Sequence, residues 1–98
     1  MIKVKIKNDE IIIRGHAGFA DYGKDIVCAS VSSMVVASAN DMLTVNEKAI
    51  KYSDDGDKVI IKIIADDELL SKLLNNLKAL LEGLAVDYPK NIIIESEE

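Results

Sequence analysis

The chain of 98 residues has one cysteine, one histidine, one proline and no tryptophan. A single cysteine excludes an internal disulfide, so Cys28 is expected as a free thiol in a reducing compartment. One histidine and one cysteine would leave any zinc site to be completed by carboxylates. No ligand pairs fall at metal-binding spacing, so neither a metal nor another cofactor is expected. Gly15, Gly18 and Gly23 do not fit a phosphate-binding loop. Met1 runs directly into the alternating IKVKIK, with no charged region leading into an apolar one. No apolar run approaches the length that spans a bilayer, and the expectation is a cytoplasmic chain with no membrane partner. Positive charge is also scarce. Twelve Lys and Arg stand against 17 Asp and Glu, for a net charge of −5. Nucleic-acid binders concentrate Lys and Arg on one face, so a direct nucleic-acid partner is not expected.

What is present is the composition of a compact globule, 49% hydrophobic and 30% charged. That balance excludes a disordered chain, and the length supports one core and therefore one domain over residues 1–98. Residues 65–98 hold eight of the 17 acidic residues against only Lys72, Lys78 and Lys90. This region reads either as a face that attracts a basic protein or as a solvated surface that keeps the chain soluble.

Ile2, Val4 and Ile6 alternate with Lys3, Lys5 and Lys7, which predicts a half-buried strand. Asn8 and Asp9 offer turn chemistry before a second strand at 11–13, ending at Gly15. From His16 to Lys24 no apolar period holds, and Gly18 and Gly23 bracket FADY as a mobile connection. From about Ile26 to Leu43 the pattern is helical, with Val27, Val31, Met34, Val35, Ser38 and Met42 on one stripe and Asp25 as N-cap. The small residues Ala29, Ser30, Ser33, Ala37 and Ala39 predict burial on more than one side. Runs at 48–53 and 58–64 flank a turn at Asp54–Asp57 and form a second hairpin. Leucines 70, 73, 74, 77, 81 and 84 mark a helix from about Asp67 to Val86, with Lys72, Asn75, Asn76 and Lys78 mostly opposite. Pro89 ends it, and 92–95 form a last strand. The order ββαββαβ defines an α+β domain, a mixed or antiparallel sheet carrying two helices. Leu69 and Leu80 lie off the main stripe and fit either a homodimer contact or a wide face buried inside one subunit.

His16 and Cys28 are the only pair able to form a Cys–His dyad. A cysteine hydrolase needs a thiolate, an imidazole that takes and returns its proton, and donors for an oxyanion. If Asp25 caps the helix, Cys28 lies in its first turn, where unpaired amides favour a thiolate and can serve as the oxyanion hole. His16 follows a strand end against which that helix must pack. A lone cysteine in an apolar helix is also a common packing residue, and spacing alone leaves both readings open.

The blocks GHA at 15–17 and DIVCASVS at 25–32, joined by a glycine-containing spacer, resemble the signature of the bacterial ribosomal-processing cysteine protease (Prp) family. Length and element order agree over the whole chain. The resemblance implies a cysteine endopeptidase that removes the N-terminal extension of bacterial large-subunit ribosomal protein twenty-seven. Cys28 would be its nucleophile and His16 its general base and acid. Asp25 and Ser32 are supporting candidates. Asp25 either orients the imidazole or only caps the helix, and Ser32, four positions after Cys28, serves the site or bonds a local carbonyl. Gly18 and Gly23 would let the loop swing over a peptide, with Phe19 and Tyr22 contacting the substrate or anchoring the loop. The implied partner is the N-terminal segment of a basic ribosomal protein. The rival readings are a non-catalytic ribosome-associated binding module and a redox-sensing thiol protein.

Overall fold

The computed structural model describes residues 1–15 and 22–97, with backbone alone at 22–25. The elements run β1 (Ile2–Ile6), β2 (Glu10–Arg14), α1 (Tyr22–Val45), β3 (Ile50–Asp54), β4 (Lys58–Ile63), α2 (Glu68–Asp87) and β5 (Ile92–Ser96). This is the expected ββαββαβ order. The five strands form one mixed sheet in the order β3-β4-β2-β1-β5. β1 pairs antiparallel with β2 and parallel with β5, and β4 pairs antiparallel with both β2 and β3.

Strand alternation decides which side of the sheet is covered. Ile2, Val4, Ile6, Ile11, Ile13, Ile61 and Ile92 are buried on one side, together with Val27, Val31, Val35, Ala39 and Met42 of α1 and Leu70, Leu74, Leu77 and Leu81 of α2. The two helices pack against each other and form a single layer over that side. The other side carries the intervening Lys3, Lys5, Ile12, Arg14, Lys51 and Lys62 and is open to solvent.

Asp67 caps α2. Its φ of −148° is extended, and its carboxylate accepts the Leu69 N–H at 2.9 Å, satisfying one of the amides a helix start leaves unpaired. At the other end the Tyr88 N–H donates to the Leu84 carbonyl at 2.9 Å, and Pro89 follows outside the helix.

Several local expectations are revised. Lys78 belongs to the buried side of α2, only 6% exposed. Its long stem lies along the core and its ammonium donates to the Asn8 carbonyl in the β1–β2 turn at 3.2 Å. Helix α1 is covered on one side only: Ile26, Ala29, Ser33, Val36, Ala37 and Leu43 are exposed. The sheet and α2 together occupy only part of its circumference. By length and composition Ile26–Val45 would suffice to cross a membrane; its interspersed serines and asparagine hide that from a search for uninterrupted apolar runs. Here its buried stripe forms the protein core. Finally, α1 begins at Tyr22, so Tyr22–Lys24, expected in the mobile connection, are helical, and Gly23 is a helix residue rather than a loop hinge.

Candidate active site

Asp25 is the fourth residue of α1, inside its first turn instead of at its N-cap. Cys28 is therefore the seventh helical residue and lies in the second turn. In an α-helix only the first four amides lack a partner, and the dipole effect fades beyond the first turn. The amide nearest in sequence that a helix starting at Tyr22 leaves without an intrahelical partner belongs to Lys24, four residues or about 6 Å along the axis from Cys28. Helix position therefore contributes less to thiol activation than an N-terminal Cys28 would receive, and more of it falls to a base.

Cys28 is half-buried on the core side of α1. It lines a cleft of about 140 Å³ between that helix and the sheet. Val31, Ser32, Val35 and Val36 of α1 form one wall with it. Ile2 and Ile13 with Gly15 form the floor, and Tyr52, Asp54, Asp57 and Val59 of the β3–β4 hairpin form the far wall. Such a cleft is smaller than the usual small-molecule pocket and takes a side chain or a short piece of main chain. Among the described residues the Cys28 thiol makes no hydrogen bond.

Ser32 lies one turn after Cys28 and shares its cleft. Its hydroxyl makes no hydrogen bond among the described residues. The serine that bonds back to its own helix is Ser30, to the Ile26 carbonyl at 2.9 Å. Ser32 therefore makes no bond to a local carbonyl among the described residues, and it is exposed at the cleft.

Gly15 ends β2 with φ +82°, and a Cβ there would fall on the Met1 carbonyl oxygen. Only glycine meets both conditions. The glycine of the GHA block thus turns the chain out of β2 directly beside the cleft. His16, Gly18 and Phe19 lie outside the described residues, as do the side chains of Tyr22 and Asp25.

The hairpin wall was not foreseen. Tyr52 sits opposite Ile61 in the β3–β4 ladder and so shares the helix-facing side of the sheet. Burial, and then the Asp54 carboxylate, push its phenol above the ordinary value of 10.0, so it is a neutral donor at physiological pH. Asp54 and Asp57 bring negative charge to the same wall, near enough to α1 to bias the cleft toward basic ligands. The spacing Ile50, Tyr52, Asp54 does put all three on one side of a strand. What the sequence lacked was the pairing that turns this side toward Cys28.

A free thiol lining a cleft between helix and sheet suits a cysteine hydrolase, and comparison with known proteins resolves the class to the cysteine proteases. A sequence model of the family described as cysteine protease Prp matches residues 1–93, and the chain belongs to that family. It is 33% identical over 101 residues to the ribosomal processing cysteine protease Prp of Staphylococcus aureus, covering 94% of this chain and 95% of that one. It is 29% identical over 101 residues to the protein of that name from Mycoplasma genitalium, covering 99% and 97%. A crystal structure of the essential S. aureus Prp with a substrate peptide superposes with a TM-score of 0.89 at 23% identity, over 99% of this chain and 100% of that one. A second, with a covalently linked product peptide, gives 0.83 at 26% identity over the same shares.

Proposed function

We propose that this protease removes the N-terminal extension of bacterial large-subunit ribosomal protein twenty-seven, with Cys28 as nucleophile and His16 as general base and acid. The observation that carries the reading is the position of Cys28: it is the chain's only thiol, and it lines a cleft between α1 and the sheet instead of being sealed in the core. Membership of the Prp family and the ribosomal-processing relatives support the substrate. A relative's structure with a covalently linked product peptide supports a covalent mechanism.

In this mechanism His16 takes the Cys28 proton and the thiolate attacks the scissile carbonyl carbon, sending the carbonyl electron pair to oxygen. Collapse of the tetrahedral intermediate expels the amine, which receives the proton from His16, and leaves a thioester on Cys28. His16 then deprotonates water, the hydroxide attacks the thioester, and the sulfur leaves and regains its proton. Ser32 and the Tyr52 phenol donate hydrogen bonds to the peptide or the oxyanion. Asp25, in the first turn of α1, orients the imidazole. Phe19 and Tyr22 contact apolar substrate residues, and Gly18 supplies the freedom that lets the loop cover the peptide. Asp54 and Asp57 favour the basic segment of a ribosomal protein.

The working unit is a cytoplasmic homodimer. Leu69 and Leu80 are 47% and 43% exposed, so a wide apolar face buried within one subunit does not account for them, and a second copy would cover them.

Incubation with the extended ribosomal protein, followed by mass spectrometry, tests the assignment. Wild type should yield a single N-terminal cut, and Cys28→Ala and His16→Ala should leave the substrate intact. Substrate uncut by all three would overturn it.

A further inference from the structure

Net charge averages away a segregation that the strand register makes visible. On the sheet side facing away from the helices, Lys3 sits opposite Arg14, Arg14 opposite Lys58, and Lys62 opposite Lys51. Lys5 lies in the row between, beside Ile12 and Ile60, and Lys7 follows at the end of β1. Seven of the chain's 12 cations therefore share one side of one sheet. The carboxylates there are Glu10, Glu95, Glu97 and, at the hairpin end beside Lys58, Asp55. Everything else holds five cations against 13 carboxylates.

Lys5 is paired with Glu97 at 3.2 Å and Lys7 with Glu10 at 3.7 Å. Lys3, Arg14, Lys51 and Lys62 are exposed, and none forms an ion pair among the described residues. Like charges directly opposite one another destabilise a sheet, and here Lys3–Arg14, Arg14–Lys58 and Lys51–Lys62 are three such pairs. Neighbouring cations stand about 5 Å apart across strands, and the two cationic rows are about 13 Å apart along them.

We propose that this open sheet face binds the phosphate backbone of RNA, without reading its sequence. Four cations without ion pairs among the described residues, Lys3, Arg14, Lys51 and Lys62, spread across and along one sheet face, suit a polymer with fixed, repeated negative charge. Protein–protein interfaces are depleted in lysine and anchored by aromatics, whereas this face has no aromatic residue, so an acidic protein is the poorer fit. Without aromatics there is no platform for stacking bases, which leaves the backbone as the element recognised. The choice of RNA as the phosphate source rests on the ribosomal reading above. The cleft opens on the opposite side of the sheet, through Ile13, Tyr52 and Val59, so RNA held here leaves the cleft free for a peptide.

The test is fluorescence anisotropy of a labelled, unstructured RNA of about 20 nucleotides, titrated with wild type and with Lys3→Glu/Lys51→Glu/Lys62→Glu at about 50 and 200 mM salt. Wild type should bind, with log affinity falling by about 2–3 units per tenfold rise in salt, as expected for three or four phosphate contacts. The triple variant should lose at least tenfold in affinity while cutting a substrate peptide as wild type does, which also shows that it folds. Lys3→Gln/Lys51→Gln/Lys62→Gln should lie between them. No binding by wild type, equal binding by a folded triple variant, or equal competition by polyglutamate would overturn the proposal. Cleavage is read separately, so failure of the protease assignment and failure of the RNA surface are distinguishable.

Discussion

The α-carbon of Gly15 and the carbonyl oxygen of Met1 are packed so that no side chain fits between them. The glycine also holds φ +82°, which L side chains rarely adopt. Gly15→Ala is expected to cost about 1–3 kcal/mol from backbone strain alone, and displacing the start of β1 adds to that. Thermal unfolding should show a fall in Tm of at least about 4 °C. An unchanged Tm would mean that the close approach does not constrain the strand end preceding His16.

Lys78 ties the middle of α2 to the β1–β2 turn through the Asn8 carbonyl. Lys78→Met keeps most of the apolar stem but removes this donor, and should destabilise by about 1–3 kcal/mol. Lys78→Ala should cost more, because the buried stem is lost as well. Denaturant unfolding measures both. Equal stability of the methionine variant and wild type would show that the hydrogen bond contributes nothing.

The β3–β4 hairpin end carries its own pH dependence. The Asp55 carboxylate accepts the Lys58 and Asp57 N–H groups at 2.8 and 2.9 Å, and these bonds hold it below its ordinary value of 3.8. A carboxyl group lowered in the folded state stabilises above its unfolded value, and that contribution disappears as pH falls through the folded value. The hairpin should therefore keep its turn down to pH 3.8 and loosen below it. Amide shifts of Gly56 and Asp57 followed by NMR should titrate with a midpoint below 3.8 in wild type. A midpoint at or above that value would contradict the bonding.

Ser32 separates a role at the site from a role in the fold. With no intramolecular hydrogen bond to lose, Ser32→Ala should change stability by no more than about 0.5 kcal/mol. If the hydroxyl bonds the substrate, kcat/KM should fall about tenfold, the equivalent of one hydrogen bond of about 1.4 kcal/mol. A large loss of stability with unchanged kcat/KM would assign it to the fold.

The elements were legible where a single period dominates. The alternation of Ile2, Val4 and Ile6 and the leucine stripe of α2 identified their strand and helix directly, because one buried face imposes one period. Lys78 was misread because a charged head conceals a stem long enough to lie in the core while the ammonium reaches a turn. The start of α1 was misread because Tyr22, Gly23 and Lys24 show no apolar period, although their backbone is helical. At the site, Cys28 and Ser32 stood out by residue type and by a spacing of one helical turn. Tyr52, Asp54 and Asp57 did not, since only the pairing of β3 with β4 and the packing of α1 bring them to the thiol.

The central claim is that Cys28 attacks the peptide and that His16 activates it. Intact-mass spectrometry of an acid-quenched single turnover tests it most directly. Wild type should show a transient mass increase equal to the N-terminal fragment less one water, located on Cys28 by peptide mapping, and His16→Ala should show none on the same timescale. Cleavage by Cys28→Ala at the wild-type rate, or an adduct on another residue, would contradict the account.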